Sequence, residues 1–184
     1  MRSAAEICEI AGIGDEAKLL LKDGIAPWEY VSALVEKQLY PEAVRFLAHS
    51  LPKREAVWWA WVCARRASGP SPSPKIKAAL DATERWIAQP NEENRRQAMQ
   101  MGQDAQFGTA AGSAALGAFL SSGSLGPPEA PPIPPGEFLT AGAVAGSIVL
   151  AAVSTEPEKA PERFRGFIDQ GLEVARRIRL WEAK

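Results

Sequence analysis

Residues 57 to 63 read Val-Trp-Trp-Ala-Trp-Val-Cys, and this run limits what the chain can become more than any other stretch. At about 100° per residue, Val57, Trp58, Trp59, Trp61, Val62 and Cys63 point almost all the way round a helix, and a helix apolar on every side must be covered by neighbours. The flanks suit a helix. Pro52 fits a first turn, where its missing N–H costs nothing. Lys53, Arg54 and Glu55 can stay in solvent, and Arg65 and Arg66 favour the negative C-terminal end. Ser68-Gly69-Pro70 stops the run. A central helix over 52–66 is therefore predicted, with Trp58 or Trp61 nearly fully buried.

The rest of the chain supplies helices to cover it. Ser3 and Glu6 have the spacing of a capping box and open a short helix to about Ala11. Gly12-Ile13-Gly14 breaks it, and a second short segment follows over 16–22. Gly12-x-Gly14 reads as a turn rather than a phosphate loop, because no strand precedes it and no third glycine follows at the required spacing. Pro27 opens a helix to about Leu39 with Trp28, Val31, Leu34, Val35 and Gln38 on one stripe. Pro41 opens the next, to about Ser50, with Val44, Phe46, Leu47 and Leu51 inward. The two form an αα-hairpin. Lys75 to Gln89 places Ile76, Leu80, Thr83, Trp86 and Ile87 on one side. Asn91 caps a helix over 92–104, where Arg95, Arg96, Gln97, Gln100 and Gln103 leave a narrow apolar contact, so this polar helix is expected outside. After Pro161, Phe164, Phe167, Ile168, Leu172, Ala175, Ile178 and Trp181 make a helical stripe to the end of the chain. No alternating strand pattern appears, and the predicted fold class is all-α, a bundle of stacked hairpins forming one helical domain over 1–184.

Two helices differ from the others. Thr109 and Thr140 are each placed to cap a run of Gly and Ala almost free of charge. Gly108 and Gly112, and Gly142 and Gly146, are four apart, a spacing that lets helix backbones approach closely. A tightly packed internal pair is expected. Between them lies a loop over 121–137 with six prolines and three glycines, which forbids regular structure and favours polyproline II. A linker, a strap over the surface and a recognition segment all fit that composition. As a recognition segment it offers Leu125, Ile133 and Phe138 as partner-binding contacts, with Ile133 also suited to an internal groove against Trp28 or Trp86.

Chemistry is sparse. His49 is the only histidine, and Ser113 and Ser124 are not in a GxSxG turn. Cys8 and Cys63 sit in apolar helical contexts and form no CxxC, so they read as reduced, buried thiols. HExxH, Cys/His ligand pairs, an EF-hand loop and a Walker A motif are all absent from the sequence, and no metal or cofactor is expected. The arginine pairs 65–66, 95–96 and 176–177 lie on helices that also carry carboxylates and read as solvated, charge-mixed faces. A net charge of -1 argues against general nucleic-acid binding. The longest apolar run, 138–153, falls short of the roughly 20 residues needed to span a bilayer, and the N-terminus lacks a signal peptide's apolar core. A soluble, cytoplasmic protein is expected.

LPKREAVWWAWVCAR, ERWIAQPNEENRRQAM, the Gly/Ala run with its Pro-rich loop and EKAPERFRGFIDQGLEVA occur in an order that resembles an uncharacterised family of bacterial proteins, a domain of unknown function. The resemblance covers about residues 40 to 180. Trp61 and Val62 stand where the family pattern has smaller residues, which bears on packing alone. The resemblance implies no catalytic residue. It implies an adaptor or accessory role in a type VI secretion neighbourhood. Function is accordingly expected to be non-catalytic interaction with a protein partner, with the oligomeric state left open. The alternative is a small-ligand binder or enzyme using an inter-helix pocket lined by Trp28, Trp86 and arginines.

Overall fold

The computed structural model describes residues 2–181, and among these it contains ten α-helices and no strand. They are α1 (Ala4–Ala11), α2 (Asp15–Lys18), α3 (Pro27–Glu36), α4 (Tyr40–Ser50), α5 (Lys53–Ala67), α6 (Pro74–Ala88), α7 (Glu92–Asp104), α8 (Ala110–Phe119), α9 (Leu139–Val153) and α10 (Ala160–Arg177). The all-α bundle is as expected. No single helix among the described residues is long and apolar enough to cross a membrane.

The Trp-rich α5 lies at the centre, against α6, α8, α9 and α10. Trp59 and Trp61 are two residues apart, so they leave the helix about 200° from each other. Each enters a different cluster. Trp59 is fully buried in the main core, and Trp61 joins a smaller one with Ala64, Ala79, Leu80, Ala105 and Ala111. A buried indole needs an acceptor for its N–H. Trp59 donates to Phe167 O at 2.7 Å and Trp61 to Leu80 O at 3.0 Å, which ties α5 to α10 and to α6. Trp58 is only half-buried, between the two clusters.

The Gly/Ala helices α8 and α9 pack directly together, as expected, and two serines fasten them. Ser113 Oγ donates to Ala143 O at 2.9 Å, and Ser147 Oγ donates back to Ala110 O at 2.7 Å. The close approach by glycine is elsewhere. A Cβ on Gly112 would sit 2.1 Å from Gln106 O, and one on Gly102 would sit 2.9 Å from the Ala115 side chain, so these glycines let α7 and its exit turn press on α8. Gly142 faces open space. In α10, Gly171 lies where a Cβ would meet Leu47 and the Trp59 ring at 2.6–2.8 Å.

Several boundaries differ from expectation for local reasons. α2 ends at Lys18. The third helix stops at Glu36 because Gln38 turns left-handed (φ 60°) and Leu39 N–H reaches back to Leu34 O at 2.9 Å. Gln38 is therefore exposed and Trp28 is 51% exposed, while Tyr30, about 200° round the helix from Trp28, is the buried aromatic of this helix. α10 stops at Arg177 in the same way: Arg179 is left-handed (φ 53°) and Leu180 N–H bonds Ala175 O at 2.9 Å. Ile178 is left exposed. Phe138, not Thr140, occupies the cap position of α9.

Candidate functional site

The Pro-rich loop is held by side chains that begin on α7. Asn91 Oδ1 caps this helix, accepting from Asn94 N–H at 2.8 Å. Glu92, in the first turn, reaches residues three and four ahead. Its carboxylate accepts from Arg95 at 2.6 and 2.8 Å and from Arg96 at 2.6 Å. So oriented, Arg95 donates to Phe119 O at 2.6 Å and Ser124 O at 2.9 Å, and Arg96 donates to Gly126 O at 2.9 Å. Lys53 of α5 adds a bond to Ser121 O at 3.0 Å. The Arg95 guanidinium also lies 4.5 Å from the Phe119 ring centroid. Arg95 is 1% exposed. The solvated reading of that residue is corrected: α7 lies outside with a narrow buried stripe of Arg95, Ala98 and Gly102, and a planar fork with five donors can serve one carboxylate and two carbonyls at once, which makes burial tolerable. The Arg95 hydrogen bond, followed by that of Arg96, holds the Glu92 carboxyl down at about 2. Gly123 completes the base. Its φ is +70°, and a Cβ there would lie 2.7–2.8 Å from the guanidinium.

Above this base the chain closes on itself. Leu125 N–H donates to Ile133 O at 2.8 Å. Ser124 Oγ accepts from Gly126 N–H at 3.1 Å and Ile133 N–H at 3.0 Å, and Ala130 N–H turns back to Pro127 O at 3.1 Å. The segment is thus an Ω-type loop with joined ends rather than an extended strap. Leu125 is 38% exposed and Ile133 56% exposed. Ile133 fills no internal groove, and Trp86 is buried within the core. Phe138 has a different setting: half-buried at the start of α9, its ring 6.1 Å from His49 and 5.4 Å from the Arg2 guanidinium. Of the three expected contacts, the structure brings Leu125 and Ile133 together and sets Phe138 apart. The anchors Arg95, Arg96 and Lys53 were missed. Glu92, Arg95 and Arg96 carried a readable i, i+3, i+4 signal, but their carbonyl partners come from 24 to 30 residues away.

Burial raises the Cys63 and Cys8 thiols, the opposite of what a nucleophile needs. No group of three metal-ligating side chains occurs among the described residues. His49 Nδ1 lies 2.8 Å from Arg45 O, and since a carbonyl only accepts, Nδ1 carries the hydrogen. Burial lowers its pKa. His49 borders a cleft of about 860 Å³ shared by Arg2, Glu6, Glu55 and the turn after α10. An adjoining groove of about 360 Å³, which shares Arg179, Leu180 and Trp181 with that cleft, is completed by Trp28, Leu172 and Arg176. Trp86 borders neither.

Residues 30–175 match the model of a family of unknown function (DUF6931). The match takes in α4 to α9, the loop and all of its anchors. No curated protein and no solved structure matches the chain.

Proposed function

The chain belongs to this family of unknown function (DUF6931), and we propose that it is a non-catalytic helical adaptor that binds a protein partner through the loop carrying Leu125 and Ile133. One observation carries this reading: two large apolar side chains are turned outward on a loop whose base is fixed by a fully buried arginine. Apolar side chains cost little to expose singly. Building a buried charge network to hold two of them outward is a different matter, and it lowers the entropy that ordering would otherwise cost on binding. The prolines add to this by restricting φ in advance. A partner suited to the loop has an aromatic-lined groove that accepts Leu125 and Ile133 with the proline carbonyls between them. The resemblance noted in the sequence supports an accessory place in a type VI secretion assembly, in a bacterial cytoplasm. Phe138 falls outside this surface.

The test replaces residues 125–135 with a Gly/Ser linker of equal length. The helices should melt at close to the wild-type temperature once the anchors are retained, and proteins co-purified from the native host by the wild type should be lost. A stable variant that retains every one of them refutes the proposal and turns attention to the Trp28–Trp181 groove.

A further inference from the structure

Of the six tryptophans, Trp28 alone is exposed rather than packed into or against the core. It leaves a fixed first turn. Pro27 starts α3, and the Glu29 carboxylate accepts the Ala26 N–H at 3.0 Å. Trp28 borders two grooves and is the one residue common to both. The first, of about 470 Å³, carries three carboxylates, Asp23, Glu29 and Glu36, against the single cation Lys22. The second is the groove of about 360 Å³ on α10, whose described lining holds Arg176 and Arg179 and no carboxylate. Glu173, one turn back on α10, is 3.0 Å from Arg177 and 3.8 Å from Arg176, so one carboxylate answers two arginines. The sequence places no like-signed pair of flanks here: the side towards α3 is acidic and the side towards α10 is basic.

Opposite charges flanking an apolar side chain make a self-complementary surface. In an isologous contact the same patch meets itself across a two-fold axis. An axis beside Trp28 turns the acidic flank of one copy onto the basic flank of the other, and the reverse pairing follows by symmetry. A patch flanked by one sign of charge would repel its own copy and require a different partner. This patch carries both signs, and a second copy of the chain supplies both complements at once.

We propose that this face is the interface of a homodimer, in which Trp28 of each protomer enters the groove between Leu172, Leu180 and Trp181 of its partner. Asp23 and Glu36 then face Arg176 across the contact. At about 360 Å³ the groove is of the size that buries a ligand-sized group such as an indole. The indole supplies most of the affinity, as central tryptophans do. The exposed charges add little affinity each and set the orientation. The face shares no residue with the Pro-rich loop or its anchors, so it stands or falls independently of the adaptor reading.

The test is sedimentation velocity of the full chain across the micromolar range. The wild type should show a concentration-dependent dimer, and Trp28→Ser should weaken it roughly tenfold or more with unchanged helical content. Two charge variants then separate this geometry from general apolar adhesion. Asp23→Lys with Glu36→Lys makes both flanks basic, and Arg176→Glu adds a carboxylate to the basic flank. Each variant alone should dimerise more weakly than the wild type. Mixing the two should recover a heterodimer, since one of its contacts is the native pairing and the other is the same pairing reversed. A wild type that stays monomeric throughout overturns the proposal and leaves the groove to a different protein. A dimer undiminished by Trp28→Ser, or folded charge variants that fail to associate when mixed, also overturns it.

Discussion

Arg95→Met removes the centre of the loop anchor while keeping a similar apolar stem. Four hydrogen bonds go with it, two of them to Glu92. The Glu92 side chain is 54% exposed and keeps Arg96, so water and that arginine take over its oxygens. The loss falls on the two carbonyls. Phe119 O loses its guanidinium donor at a buried position, at about 1–3 kcal/mol, and the more accessible Ser124 O loses roughly 1 kcal/mol. The contact with the Phe119 ring adds about 0.5–1 kcal/mol. Methionine recovers part of the packing, so a net loss of about 2–4 kcal/mol is expected. For a chain of this size that is a fall in Tm of roughly 5–15 °C, read by circular dichroism at 222 nm. Limited proteolysis should then cut within 121–137 well before the helices. Arg95→Lys should fall between the two, because one ammonium cannot serve three acceptors in the same plane. A Tm within about 2 °C of wild type, together with unchanged loop protection, would show that the arginine network does not hold the loop.

Other consequences can be checked by urea denaturation. Gly112→Ala places a Cβ 2.1 Å from the Gln106 carbonyl oxygen and should cost at least about 2 kcal/mol, whereas Gly142→Ala, in open space on a helix, should stabilise by about 0.5–1 kcal/mol; effects of the same sign would contradict the packing described. Trp59→Ala should cost roughly 3–5 kcal/mol and Trp58→Ala clearly less, because Trp58 is only half-buried. Glu92 has a folded pKa of about 2 against an ordinary 4.5, so its contribution is fully present above about pH 4.5 and is lost as the pH falls toward 2. After screening at this half-exposed site, Glu92→Gln should cost roughly 1 kcal/mol at neutral pH, and its gap from wild type should close on acidification. A gap that widens instead is incompatible with the paired carboxylate.

Much of the fold was legible because its signals are local. The Ser3–Glu6 capping box, the caps at Asn91 and Thr109, and the apolar stripes of α4, α6 and α10 depend on neighbours within one or two turns. The Trp run announced a central helix, though which indole would be most buried depended on how its neighbours divide into two clusters. What stayed hidden is long-range. Arg95 looks like half of a surface pair until Phe119 O and Ser124 O are brought to it. Gly171 looks like a weak point in an amphipathic helix until Trp59 lies over it. Glycine spacing in α8 and α9 signalled close approach but not by which neighbour. The ends at Gln38 and Arg179 carry no glycine, since both residues accept a left-handed backbone that other residue types usually leave to Gly or Asn. Thr140 looked like a cap by type, and only the position of Phe138 moved it into the helix, with its hydroxyl unpartnered.

The adaptor reading is tested most directly by the two exposed side chains alone. Leu125→Ser and Ile133→Ser together leave Arg95, Arg96, Lys53 and every loop backbone bond in place, and because both side chains are already partly in water the Tm should hold within about 2 °C. Affinity capture from the native host with wild type and double variant, quantified by mass spectrometry, should show one or a few proteins retained by the wild type and depleted roughly tenfold or more by the variant, the loss of two apolar interface contacts. An unchanged set of captured proteins, with the variant folded and the loop still protected, would contradict the reading of this loop as the partner-binding surface.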